Sequence, residues 1–186
     1  NIYVGGATSS TQLQGDKTGV WQPVFNLGLT DGFITIINPL GTQALKTTFI
    51  GSTGVDIVYG LKFDRLGFPY TMGTTTGVWP IIRAPFSNVN ARQFIVKLKA
   101  DLSDAVYSTV FGTNSSMPNI SPVAFMVDRC ENVYVSGWGG GINNTNGYTN
   151  GSTAGMPEVS PLAGIPAADG QDFYFFVLER DAAGQF

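Results

Sequence analysis

Asn132-Val-Tyr-Val-Ser-Gly137 decides the fold, because the chain carries this stretch three times. Asn1-Ile-Tyr-Val-Gly-Gly6 and Phe68-Pro-Tyr-Thr-Met-Gly73 are the other copies, with tyrosines at 3, 70 and 134 and closing glycines at 6, 73 and 137. Working outward, a second set follows in register: Phe33-Ile-Thr-Ile-Ile37, Phe94-Ile-Val-Lys-Leu98 and Phe175-Phe-Val-Leu-Glu179. A third occurs twice, as Leu45-Lys-Thr-Thr-Phe-Ile-Gly51 and Val106-Tyr-Ser-Thr-Val-Phe-Gly112. A fourth also occurs twice, as Val58-Tyr-Gly-Leu-Lys-Phe-Asp64 and Val123-Ala-Phe-Met-Val-Asp128. Self-similarity at a long spacing identifies a repeat array, and that choice precedes every other one.

The four runs are rich in Val, Ile, Phe, Tyr and Thr, which suit a pleated, half-buried surface. Gly, Pro, Asn and Asp separate them, as they separate strands. Alternation puts Phe94, Val96 and Leu98 on one face of a strand and Ile95, Lys97 and Lys99 on the other. Asp64-Arg-Leu-Gly67 and Asp128-Arg-Cys-Glu131 sit where a hairpin must join the fourth run of one unit to the first run of the next. No segment carries a capped helical stripe. The expectation is all-β: four strands per unit in an antiparallel meander, the pattern of a β-propeller blade.

The units are long, with 67 residues from Tyr3 to Tyr70 and 64 from Tyr70 to Tyr134. The excess lies in one connection, between the first and second runs (7–32, 74–93 and 138–174). Insertions confined to one connection recur on one face of a repeat protein, often a binding face. That connection has its own motif, Thr18-Gly-Val-Trp-Gln-Pro23 and Thr76-Gly-Val-Trp-Pro80, with Thr153-Ala-Gly-Met-Pro157 as a weaker copy. Trp21, Trp79 and Met156 read as plugs that pin a long loop to its blade. The sharper reading makes Trp21, Trp79 and Trp138 a ligand-binding set, since exposed Trp is a favoured contact residue for sugars or protein partners.

Composition narrows the function classes. Ten Lys+Arg against 13 Asp+Glu leave a net charge of −3, which argues against a nucleic-acid partner. Histidine is absent, so the usual Ser-His-Asp and Cys-His nucleophiles are unavailable. The single Cys130 cannot build a thiolate metal site. The carboxylate pairs Asp101/Asp104, Asp169/Asp172 and Glu179/Asp181 fall at expected turns, where Asp serves local hydrogen bonding. Gly137-Trp-Gly-Gly-Gly141 lacks the lysine and following helix of a phosphate loop. Asn143-Asn-Thr-Asn-Gly147 offers amide oxygens but no carboxylate to a Ca²⁺ ion. Glycosylation sequons occur at Asn114, Asn119, Asn143 and Asn150. No cofactor, metal site or catalytic group is expected.

Taken together, the runs resemble the bacterial β-propeller repeat family whose units read NVYVTG…FVAKL…YSTYLGG. The similarity is best at Asn132–Gly137, Gln93–Leu98 and Val106–Gly112, and poorest at Phe68–Gly73, where Phe-Pro replaces Asn-Val. Asp128-Arg-Cys-Glu-Asn-Val-Tyr-Val-Ser-Gly-Trp-Gly-Gly140, with Asp172-Phe-Tyr-Phe-Phe-Val-Leu-Glu-Arg-Asp-Ala182, is similar to large surface proteins of gliding Bacteroidota. The resemblance implies export by the type IX secretion system, a secreted or cell-surface location on the outer-membrane exterior, and no catalytic residues. It implies partners among other blades of the same protein, the type IX translocon, other surface proteins or glycans. The expected architecture is an incomplete β-propeller of about two and a half four-stranded antiparallel blades. Residues 1–186 form one propeller fragment, with units 1–67, 68–131 and 132–186. The expected function is a non-catalytic module for display, adhesion or assembly, with a carbohydrate-binding or carbohydrate-active propeller using the long-loop face as the alternative.

Overall fold

A computed structural model describes residues 1–84, 86–139, 151–159 and 170–180 of the chain. Among these there is no helix, and ten strands follow in order. They are β1 (Ile2–Thr8), β2 (Asp31–Ile37), β3 (Ala44–Ile50), β4 (Asp56–Phe63), β5 (Pro69–Thr75), β6 (Gln93–Leu98), β7 (Ala105–Phe111), β8 (Ser121–Val127), β9 (Val133–Trp138) and β10 (Phe173–Leu178). All four run types are strands, and every pairing between them is antiparallel.

Three sheets result: β1-β2-β3, β4-β5-β6-β7 and β8-β9-β10. Each later sheet opens with the fourth run of the preceding unit, so sheets and sequence units are offset by one strand. The hairpins at 64–67 and 128–131 cause the offset. Asp64 N donates to Phe68 O and Gly67 N to Asp64 O in one, and Asp128 N to Asn132 O and Glu131 N to Asp128 O in the other. Bulges recur at matching places, Ile36/Ile37 with Lys97/Leu98 and Val58/Gly60 with Pro122/Ala124.

The sheets stack face to face. Ile34, Ile36 and Val58 pack with Phe94, Val96, Leu98 and Val110 in a first core. Ile95, Tyr107 and Phe111 pack with Phe125, Val133, Val135 and Leu178 in a second. The middle sheet therefore loses water on both faces, and all six residues of β6 are buried. Each fully buried Phe or Ile there contributes about 2 kcal/mol. The alternation read from sequence holds for β6, but its second face is a core, and Lys97 is inside it.

Register corrects one sequence equivalence. Gly6 pairs with Phe33 and Gly73 with Phe94, but Gly137 pairs with Tyr174. The counterpart of Phe33 and Phe94 is thus Tyr174, one residue before the expected Phe175. In the run Phe173-Tyr-Phe-Phe-Val-Leu178 no alternation marks the inward face, and a slip of one residue inverts every side chain. Tyr3, Tyr70 and Tyr134 do occupy equivalent positions, opposite Ile36, Lys97 and Val177.

Candidate functional site

The long connections are laid along the outer edges of their own sheets. In the second, Ile82 and Ser108 exchange both backbone hydrogen bonds at 2.9 Å, Asn88 N donates to Val110 O at 3.0 Å, and Thr109 Oγ1 donates to Phe86 O. In the first, Thr47 N donates to Asp16 O at 3.0 Å and Phe49 N to Gln22 O at 2.9 Å. Thr48 and Thr109, equivalent in the repeat, both turn hydroxyls onto loop carbonyls, Thr48 Oγ1 onto Gln22 O. These connections cover the unpaired edges of β3 and β7, a protection that sheet edges need.

The indoles follow from that arrangement. Trp79 is 6% exposed and stacks on Phe94 with centroids 3.8 Å apart and planes within 5°. Its Nε1 donates to Ser108 Oγ at 2.8 Å. It anchors the loop. Trp21 is half-buried against the first core, and its backbone N donates across the sheet boundary to Leu102 O at 2.8 Å. Met156 is buried in the second core, and the Tyr174 hydroxyl donates to the adjacent Pro157 carbonyl at 2.8 Å. Trp138 is 47% exposed, edge-on to Phe173 at 5.2 Å. The three tryptophans do not converge: Trp79 faces a core, and Trp138 is the most exposed.

Other sequence candidates resolve locally. Asn119 is buried, donating to Thr113 Oγ1 and Ser152 O, so its sequon is closed to a glycosyltransferase. Asp101 accepts from Ser103 N, and Asp104 pairs with Arg83 at 3.0 Å. Asn143–Gly147, Asn150, Asp169 and Asp181 lie outside the described residues.

A charged cluster that alternation concealed lies between the second and third sheets. Lys97 Nζ is 3.0 Å from Asp64 Oδ2 and 2.8 Å from Glu131 Oε2, with side-chain exposures of 6%, 0% and 10% for the three residues. The Asp64 contact is an ion pair poorly directed as a hydrogen bond; the other Asp64 oxygen accepts from Leu66 N and Phe68 N. The ammonium lies 4.9 Å from the Tyr70 ring centroid and 5.2 Å from that of Phe68, and cation–π attraction gains strength when desolvated. Tyr70 Oη donates to Glu131 Oε2 at 3.4 Å, and Arg180 Nη1 stands 3.7 Å from Glu131 Oε1.

Burial alone would raise the Asp64 carboxyl, but the Phe68 backbone donor and the Lys97 ammonium outweigh it and hold it low. Burial, and then the Glu131 charge, push the Tyr70 hydroxyl well above its ordinary range. Glu131 has φ +69°, the position that Gly67 takes with φ +84° in the equivalent hairpin. A left-handed non-glycine residue costs about 1–2 kcal/mol; here its carboxylate meets a buried cation.

The chain matches no known family model and no curated protein. In the Lys97 cluster one ammonium is shared by two carboxylates, with Arg180 beside Glu131, and the amine lies inside a core. Its geometry serves to lock two sheets together. The sequence signal that finds it is internal. Lys97 stands where the first unit has Ile36, and Glu131 where the preceding hairpin has Gly67, so the two changes occur together.

A second buried pair sits at the other end of the sheets. Asp31 and Asp56 open β2 and β4 and are fully buried. Asp31 Oδ2 accepts from Asn26 N at 2.7 Å, while Oδ1 has no hydrogen-bond partner among the described residues. Asp56 accepts from Ser52 N and Oγ. Burial raises both carboxyls, and Asp56 further raises Asp31. A raised folded pKa means that the unfolded chain releases the proton first. Stability therefore falls as pH climbs from the ordinary 3.8 through the folded values. Asp31→Asn retains the acceptor for Asn26 N and removes the charge. It is expected to raise Tm at neutral pH, with the gain vanishing below the ordinary carboxylate pKa. Thermal unfolding across that range is the check; a gain independent of pH would remove ionisation as the cause.

Proposed function

We propose that this chain is a non-catalytic β-propeller module of a large secreted or cell-surface protein, acting in display, adhesion or assembly. The observation that carries the reading is the layering of the sheets. Each packs face to face on the next, and β4 lies against both β1 and β8, as the inner strands of successive blades would. Among the described residues the outer sheets have three strands where the middle has four. Ile2 and Val4 on β1, and Phe173 and Phe175 on β10, are exposed. Such apolar edge strands invite a further strand, and in this reading further blades of the same protein supply it. The similarity to exported repeat proteins of gliding Bacteroidota supports the secreted location and the type IX route.

Hydrogen exchange tests the reading. Amides of 173–178 are expected to exchange fast in the 186-residue chain on the side away from β9, and slowly in the full-length protein. Uniformly strong protection in the isolated monomer would mean that the sheets satisfy their own edges, and the propeller reading would fall.

The carbohydrate alternative is favoured by one observation, the exposed aromatic group Trp138, Phe173 and Phe175 on the outer face of the third sheet. A glycan array that detects ligands lost with Trp138→Ala would select it over display or assembly.

A further inference from the structure

The hairpins 64–67 and 128–131 both begin Asp-Arg, and their construction turns the two side chains in opposite directions. Asp64 Oδ1 accepts from Leu66 N at 2.9 Å and Phe68 N at 3.0 Å. Asp128 Oδ1 accepts from Cys130 N at 2.8 Å and Asn132 N at 2.9 Å, and its Oδ2 from Asn132 Nδ2 and Tyr134 Oη. With the carboxylates spent inside the turns, the arginines that follow are exposed. Neither Arg65 nor Arg129 has an ion-pair or hydrogen-bond partner among the described residues. Arg180 joins them from the end of β10. Its backbone N donates to Asn132 Oδ1 at 3.0 Å, and its guanidinium leans on Glu131.

Arg65, Arg129 and Arg180 line one open groove of about 560 Å³ with Cys130, Asn132 and Glu179. Three Arg against one Glu leave the lining positive on a chain whose net charge is −3. Two of the cations come from equivalent turns of adjacent sheets. A guanidinium fork matches a planar carboxylate bidentately. Glu179 in the groove, and Glu131 behind it, disfavour charge concentrated on one phosphate and favour charge divided between two groups.

We propose that this groove binds a small ligand bearing two carboxylates, one for each of Arg65 and Arg129. Asn132 and Arg180 line the same groove. The site lies wholly within the second and third sheets and stands or falls apart from the propeller reading.

The test uses the 186-residue chain and succinate as probe, with sulfate and phosphate compared at constant ionic strength. Calorimetry reads affinity, and alkylation of the exposed Cys130 by uncharged iodoacetamide reads occupancy. Succinate is expected to bind saturably and to slow alkylation. Arg65→Gln and Arg129→Gln, both at exposed positions, are each expected to weaken binding about 10-fold, the worth of a hydrogen bond to a charged group. Lys99→Gln, an equal charge change outside the groove, is expected to leave affinity unchanged. No saturable binding, equal losses in all three variants, or sulfate or phosphate binding as tightly as succinate would each overturn the proposal.

Discussion

Lys97→Ile combined with Glu131→Gly is expected to be markedly less destabilising than Lys97→Ile alone, which is expected to cost about 3 kcal/mol or more. Removing the ammonium alone leaves Asp64, 0% exposed, without a cation, and Glu131, 10% exposed, with only the more distant Arg180 at 3.7 Å. Breaking a buried pair from one side is the expensive operation. Glu131→Gly alone is milder. Lys97 keeps Asp64, and relief of the left-handed backbone at φ +69° returns about 1 kcal/mol. The double variant installs the pair that the first interface already uses, Ile36 at the position of Lys97 and Gly67 at that of Glu131. Asp64 then keeps its turn donors, Leu66 N and Phe68 N, but loses the cation at Oδ2. Replacing a buried ion pair by apolar residues is often neutral or stabilising. A urea-unfolding double-mutant cycle is the measurement. If the two single effects simply add, within about 0.5 kcal/mol, the residues do not act as a pair, and the sheets are held by their apolar faces alone.

That pair also marks how far the sequence could be read. Strand existence and order were legible because the Tyr-x-x-Gly pattern occurs three times and Phe-Ile-x-x-Ile/Leu twice at matching offsets, and because Asp-Arg turns punctuate them. The antiparallel hairpins at 64–67 and 128–131 followed directly. What alternation hid was the burial of both faces of the middle sheet. Lys97 at an outward-looking position reads as a solvent-facing lysine until Glu131 and Asp64 are found beside it, and their partnership spans 34 residues. The aromatic run 173–178 hid its register because each residue suits either face, so only pairing of Gly137 with Tyr174 fixes which side faces the core.

Leu102 hid in the same way as Glu131. It takes a left-handed backbone, φ +62°, in the turn where the first unit has Gly41, φ +71°. Its side chain is buried and its carbonyl receives Trp21 N. A non-glycine residue at a glycine position marks a place where one sheet is fastened to the next. The Arg groove was equally illegible from spacing, since Arg65, Arg129 and Arg180 meet only when two hairpins and the end of β10 are brought together.

Trp79→Ala is expected to destabilise the protein by about 3–5 kcal/mol, the range for removing a buried Trp from a core. Two contributions combine. The indole leaves a void against Phe94, on which it stacks at 3.8 Å, and Ser108 Oγ loses the donor held at 2.8 Å. Trp79→Phe separates them. It keeps an aromatic plane over Phe94 and strands the Ser108 oxygen, a loss of about 1–3 kcal/mol. The damage is not confined to one residue, because the indole fastens the segment that covers the edge of β7. With the plug gone, only the hydrogen bonds of Ile82, Arg83, Phe86 and Asn88 to β7 hold the loop. Amides at Ile82, Asn88 and Ser108 are therefore expected to exchange faster in Trp79→Ala. Trp21→Ala, at a half-buried position, is expected to cost less. Chemical denaturation followed by native-state hydrogen exchange checks both. A loss under about 1 kcal/mol with those amides still protected would show that the loop is held without its plug, and would free Trp79 for the sugar-stacking role that its burial now denies it.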